Sequence, residues 1–179
     1  CYEGKPVIER IVTVAGSALA EPVNGLTRVG TPFGYLAEQC GGFVKTPRKI
    51  VLGGPMMGIC ATSFDAPTVK GTAGVLFFTE EEDKNIEFPT CIRCGKCITV
   101  CPMNLEPVFM YMYYSKRDFE NMAKYHITDC FECGSCSLNC PARMPLTHAF
   151  KTAKVMFQVK AAKEKAKAEA EAAAKEANK

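Results

Sequence analysis

Eight of the chain's 11 cysteines fall into two runs of one spacing, Cys91-x-x-Cys94-x-x-Cys97-x-x-x-Cys101-Pro102 and Cys130-x-x-Cys133-x-x-Cys136-x-x-x-Cys140-Pro141. Three cysteines two residues apart in a tight loop turn their sulfurs toward three corners of one iron–sulfur cube. The fourth, set off by a longer spacer and a proline, points elsewhere. Structural zinc is the competing chemistry. It usually takes two C-x2-C pairs or Cys/His mixtures, and two identical four-cysteine runs fit neither. A disulfide framework would scatter its cysteines rather than place four within 11 residues, twice.

The spacing matches the C-x2-C-x2-C-x3-C-P run of bacterial-type ferredoxins, where the fourth cysteine ligates the other of two clusters. On that pattern two [4Fe–4S] clusters are expected. Cluster I takes Cys91, Cys94, Cys97 and Cys140; cluster II takes Cys101, Cys130, Cys133 and Cys136. Close clusters with no substrate-sized opening suit the passage of single electrons. Gly95 and Gly134 occupy equivalent places, where a side chain would crowd the cube and backbone freedom helps. Between Cys101 and Cys130 lie 28 residues with two predicted helices. That insertion resembles the α-helical ferredoxin type, an electron-transfer module of larger oxidoreductases.

The elements that must position these cysteines divide the 179 residues into four stretches. Residues 1–78 hold 12 of the 14 glycines and are expected to form a small α+β domain. Val7 to Val14 is a β-branched run, Asn24-Gly25 a turn pair, and Lys49–Leu52 and Gly74–Phe78 further strands. Thr31 is expected to cap a helix with Pro32 at its first position, running from Phe33 to about Cys40 and stopping at Gly41-Gly42. Residues 79–90 read as an acidic linker. Residues 91–158 read as a helical cysteine domain: Ser115 with Asp118 suggests a capping box opening a helix to about Tyr125. Pro145 opens another, with Leu146, Ala149, Phe150, Ala153 and Phe157 at helical spacing. Residues 159–179 are Ala, Lys and Glu, a frayed and solvated helix without a bulky apolar face.

Composition narrows the function classes. Apolar residues make up 47% and charged residues 23%, as in a folded globular chain. The formal charge of +3 is too mild to point to nucleic acid, and eight thiolates with two clusters would bring it near neutral. No apolar run approaches the roughly 18 residues that span a bilayer. With no secretory signal in view, the cysteine usage points to a reducing, cytoplasmic setting.

Other residues are weighed against the same chemistry. Val108–Tyr114 (VFMYMYY) is either buried against the clusters or a docking surface for a partner. Gly53-Gly-Pro-Met-Met-Gly58 fits no phosphate-binding pattern and reads as a tight turn, the alternative being contact with a flavin domain. His126 and His148 read as structural or surface residues. Cys40 and Cys60 read as buried thiols, and Cys1 is left over. No hydrolytic constellation stands out, so no catalytic residue is assigned.

Three segments then carry a resemblance: Pro6–Gly16, Gly30-Thr31-Pro32 and Gly53–Gly58 resemble the SLBB (β-grasp) domain of the C subunit of the Rnf electron transport complex. Asp129-Cys-Phe-Glu-Cys-Gly-Ser-Cys136 resembles that family's second cluster motif, and the order of segments is the family's too. The resemblance implies an SLBB domain followed by an α-helical ferredoxin domain. It implies electron relay between FMN and NAD(H) of a preceding domain, whose glycine-rich fingerprint is not in this chain, and a partner iron–sulfur subunit. It further implies a peripheral place on the cytoplasmic face of a membrane complex that couples ferredoxin:NAD+ electron transfer to ion movement. Two alternatives stand beside it: a soluble flavin/iron–sulfur protein like a cobalamin reductase, and a non-redox interaction module with structural clusters.

Overall fold

In the computed structural model, which describes residues 4–82 and 90–177, the β-branched run becomes strand β1 (Glu9–Ala15). Its alternation has a direct consequence: Val12 and Val14 are buried, whereas Ile11 and Thr13 face the other way and are exposed. β1 pairs antiparallel with β2 (Val23–Arg28) and parallel with β5 (Gly74–Phe78). β5 pairs antiparallel with β3 (Lys49–Leu52), and β3 with the edge strand β4 (Ile59–Ala61). The sheet order is β2-β1-β5-β3-β4. Helix α1 (Phe33–Gln39) contributes Phe33, Leu36 and Ala37 to a core shared with Val12, Val14, Ile50, Val75 and Phe77. Phe77 is fully buried, with the Phe43 ring edge-on at 5.2 Å and the Phe64 ring parallel at 6.3 Å. These elements belong to one of two compact units, Cys1–Glu87 and Phe88–Lys179.

Four local expectations need correction. Asn24-Gly25 is no turn: both residues lie within β2, opposite Thr13 and Val12. Long-range pairing with β1 overrides the local turn preference, and Thr13 Oγ1 donates to Asn24 Oδ1 at 2.7 Å. Pro32, not Thr31, is the residue that precedes α1; the Thr31 hydroxyl instead donates to the Arg28 carbonyl at 2.8 Å. The helix does stop at the glycine pair, where Gly41 and Gly42 adopt φ of 77° and 79°. Cys60 is exposed rather than buried, because it sits on the edge strand β4. In the second unit, Ser115 closes one helix and Asp118 caps the next.

Gly53–Gly58 forms a tight turn between β3 and β4. The Gly58 N–H donates to the Gly54 carbonyl at 2.7 Å. A Cβ at Gly58 would stand 2.4 Å from Val51 Cγ1 and 2.7 Å from the Leu52 and Gly54 carbonyl oxygens. Glu80–Glu82 form a short 3-10 turn; the rest of the acidic linker through Pro89, like Cys1, lies outside the described residues.

The second unit is helical: α2 (Lys96–Thr99), α3 (Pro107–Ser115), α4 (Phe119–Lys124), α5 (Ser135–Leu138) and α6 (Leu146–Ala177). Leu146, Ala149, Phe150 and Ala153 on α6 pack with Met110 of α3, Met122 of α4, Ile127 and Met144. The Ala/Lys/Glu stretch continues α6 rather than forming a separate element, and its described side chains from Lys160 to Ala170 are exposed.

Candidate metal centre

The second unit is an internal repeat with a step of 39 residues, Cys91 answering to Cys130 and Cys101 to Cys140. The backbone repeats with it. Arg93 and Glu132 both take positive φ (55° and 64°), and so do Asn104 and Arg143 (52° and 50°). Gly95 and Gly134, at 77° and 85°, begin α2 and α5. A left-handed residue there reverses the chain after the second cysteine of each run, so that the third is carried on the following helix turn.

The fourth cysteine of each run is held by the start of the next segment. The Leu105 N–H donates to Cys101 Sγ at 3.3 Å, and the Met144 N–H to Cys140 Sγ at 3.4 Å. Glu132 N–H likewise faces Cys130 Sγ at 3.4 Å. Such donors stabilise thiolate sulfur and a cluster's sulfurs alike.

One cavity gathers four of these thiols. It is lined by Cys101 from the first run and Cys130, Cys133 and Cys136 from the second, with Leu105, Met110 and Phe150 among its apolar walls. The atom-free space there, mouth included, is ≈ 370 Å³. Burial pushes the Cys136 thiol up to about 11, and neighbouring Cys130 adds to this against the hydroxyl of Thr147. Burial also raises Cys130, offset by the Glu132 N–H and by Lys154; Glu132's carboxylate and Cys101 push the same way as burial. Cys97 is raised by burial too, and Cys140, from the second run, and Cys91 push it the same way. Cys91 and Cys94 are exposed.

The residues present fit a four-iron cluster better than one ion. The donor set is all thiol, which suits iron–sulfur clusters and zinc alike, so the spread of the sulfurs decides. Among the described residues no three His, Cys, Asp or Glu side chains gather closely enough to share an ion. A tetrahedral zinc with bonds of about 2.3 Å would need its sulfurs about 3.8 Å apart, whereas a cube carries each thiolate on its own iron. His126 and His148 stand apart from this chemistry: His126 Nδ1 lies 3.3 Å from Asp129 Oδ2 at the surface, and His148 is exposed. Sequence reasoning missed Lys154 of α6. Its Nζ lies 2.9 Å from Glu132 Oε1 and donates to the Cys130 carbonyl. No local pattern marks a contact between residues so far apart in the chain.

Comparison with known proteins gives two family matches, a 4Fe-4S dicluster domain over residues 83–141 and an SLBB domain over residues 11–59. The C subunit of the proton-translocating ferredoxin:NAD(+) oxidoreductase complex of Clostridium ljungdahlii is 41% identical over 128 residues, 70% of this chain and 28% of that protein. The C subunit of the Na(+)-translocating ferredoxin:NAD(+) oxidoreductase complex of Acetobacterium woodii is 40% identical over 126 residues, 70% of this chain and 28% of its own length. The C subunit of the ion-translocating oxidoreductase complex of Rhodobacter capsulatus is 38% identical over 151 residues, 84% of this chain and 29% of its own. The chain therefore spans less than a third of the length of these relatives.

Proposed function

As a relative of the C subunit of the ion-translocating oxidoreductases, joining an SLBB domain to a 4Fe-4S dicluster domain, this chain is, we propose, an electron relay with two crossed clusters. Cluster I is held by Cys91, Cys94, Cys97 and Cys140, and cluster II by Cys101, Cys130, Cys133 and Cys136. The observation that carries this reading is the single cavity ringed by Cys101 and by three cysteines of the other run. The charge influence of Cys140 on the Cys97 thiol supports the converse exchange. A bound cluster accepts and returns one electron at a time.

The chain's own residues do the rest. Met110 and Phe150 keep water from the inner wall of the cavity. The N–H groups of Leu105, Glu132 and Met144 hold the sulfurs in orientation. Loading must release protons from thiols that burial has raised, Cys136 above all. No described side chain is assigned to a substrate; the role proposed for this chain is the passage of electrons.

The relay runs between FMN and NAD(H), bound outside this chain's residues, and a partner iron–sulfur subunit. It sits peripherally on the cytoplasmic face of a membrane complex that couples ferredoxin:NAD+ oxidoreduction to ion movement. The names of the relatives support the ferredoxin:NAD+ oxidoreduction and its coupling to ion movement; the flavin, the partner subunit and the cytoplasmic face rest on the family resemblance. Among the described residues no helix is long and apolar enough to cross a membrane. The test is anaerobic purification of the complex from its native source, with NADH added while the clusters are followed by visible absorbance and EPR. Reduction by NADH, and co-purification with integral membrane subunits, is the expected result. Reduction by dithionite alone would overturn the reading.

A further inference from the structure

The contacts of Lys154 reach beyond ligation. We propose that Lys154 holds up the reduction potential of the cluster bound by the second run, against the opposing carboxylate of Glu132. This rests on the ligand assignment above.

Two contacts fix the Lys154 ammonium beside the second loop. It pairs with Glu132 Oε1 at 2.9 Å, and it donates to the carbonyl of Cys130, itself a cavity residue. The two side chains are only 25% and 26% exposed, so salt and solvent screen them poorly. Lys154 comes from α6 and Glu132 from between Cys130 and Cys133, so the pair spans helix and ligand loop.

The internal repeat provides a built-in comparison. One repeat earlier, Arg93 stands in the place of Glu132 and Ser115 in that of Lys154. Arg93 is exposed, and the Ser115 hydroxyl turns back to the Met112 carbonyl at 2.8 Å. The first loop therefore lacks this pair. Reduction adds one negative charge to a cluster. A fixed cation nearby favours the reduced state and a carboxylate disfavours it. Removing either partner leaves the other charge uncompensated in a partly buried place.

The test is an anaerobic redox titration of the full chain carrying both clusters, read by EPR, with iron content measured on each sample. Lys154→Met is expected to lower one of the two midpoints by about tenfold in the reduction equilibrium, or about 59 mV for one electron. Glu132→Gln is expected to raise the same midpoint, and Lys154→Arg to leave it near the native value. Midpoints unmoved in loaded variants, or both midpoints moved alike, would overturn the proposal. Should Lys154→Met fail to hold iron, Glu132→Gln decides alone: a raised midpoint upholds it and an unchanged one overturns it. A native chain without two clusters would overturn the ligand assignment, and this inference with it.

Discussion

The backbone N–H of Leu105 points at the sulfur of Cys101, 3.3 Å away, four residues after it in the chain. The same relation joins Met144 to Cys140 at 3.4 Å. Each fourth cysteine is thus tied at its backbone N–H to its own run, at Ile98 and Ser137, while its sulfur accepts from the entry into the next helix. Under the proposed crossed assignment, that arrangement turns each fourth sulfur toward the other run's cluster. Cys101→Ser is expected to remove cluster II, about half the iron, while leaving the EPR signal of cluster I. Cys140→Ser is expected to do the converse. Loss of the cluster I signal alone from Cys101→Ser would contradict the crossed assignment.

What was legible in advance was whatever is encoded locally. The apolar positions of α6, the bounds of β3 and β5 and the glycine stop of α1 depend on neighbours within a few residues. What escaped depends on distant partners. Asn24-Gly25 has strong turn chemistry, yet the β1–β2 ladder claims both residues. β4 is three residues long, too short to show a period. The exposure of Cys60 follows from strand order, and the Lys154–Glu132 contact from the path of α6 back past the second loop. Ser115 and Asp118 each have the chemistry of a helix cap; only the end of α3 decides between them.

The glycine turn after β3 makes a steric prediction. A side chain at Gly58 would meet Val51 at 2.4 Å and two carbonyl oxygens at 2.7 Å, none of them a flexible tip. Gly58→Val is expected to destabilise the sheet unit by about 1–3 kcal/mol, as overpacking does. Urea unfolding followed by far-UV circular dichroism measures it, while the visible spectrum of the clusters should be retained. Unchanged stability would mean that the turn tolerates a side chain and that its glycines answer to something else.

The two described cysteines outside the quartets should differ sharply as nucleophiles. Cys40 is buried at the end of α1, and burial, then the charge of Glu21, pushes its thiol above the ordinary value. Cys60 is exposed on the edge strand. Thiolate is the reactive form, so a raised value means less of it at any given pH. Brief iodoacetamide treatment of the cluster-loaded chain at pH 8 is expected to label Cys60 and spare Cys40, with both labelled in urea. Peptide mass spectrometry reads the result; equal labelling in the native chain would show that Cys40 is not enclosed.

The aromatic run of α3 separates burial from docking. Met110 is wholly buried against α6, with Met122, Ile127 and Phe150 in the same core. Phe109, its neighbour in sequence, is 38% exposed and reaches the Tyr125 ring at 5.6 Å. Truncating Met110 removes a side chain that holds the helices around the cysteine cavity, so Met110→Ala is expected to cost about 2–5 kcal/mol. Phe109→Ala should cost less, since part of its surface already meets water. The readout is the urea midpoint at which visible cluster absorbance bleaches under anaerobic conditions. A fall for Met110→Ala exceeding that for Phe109→Ala, with binding to the proposed partner subunits unchanged in both, would establish α3 as core. The reverse pattern, intact midpoints with lost binding, would make this helix a docking face.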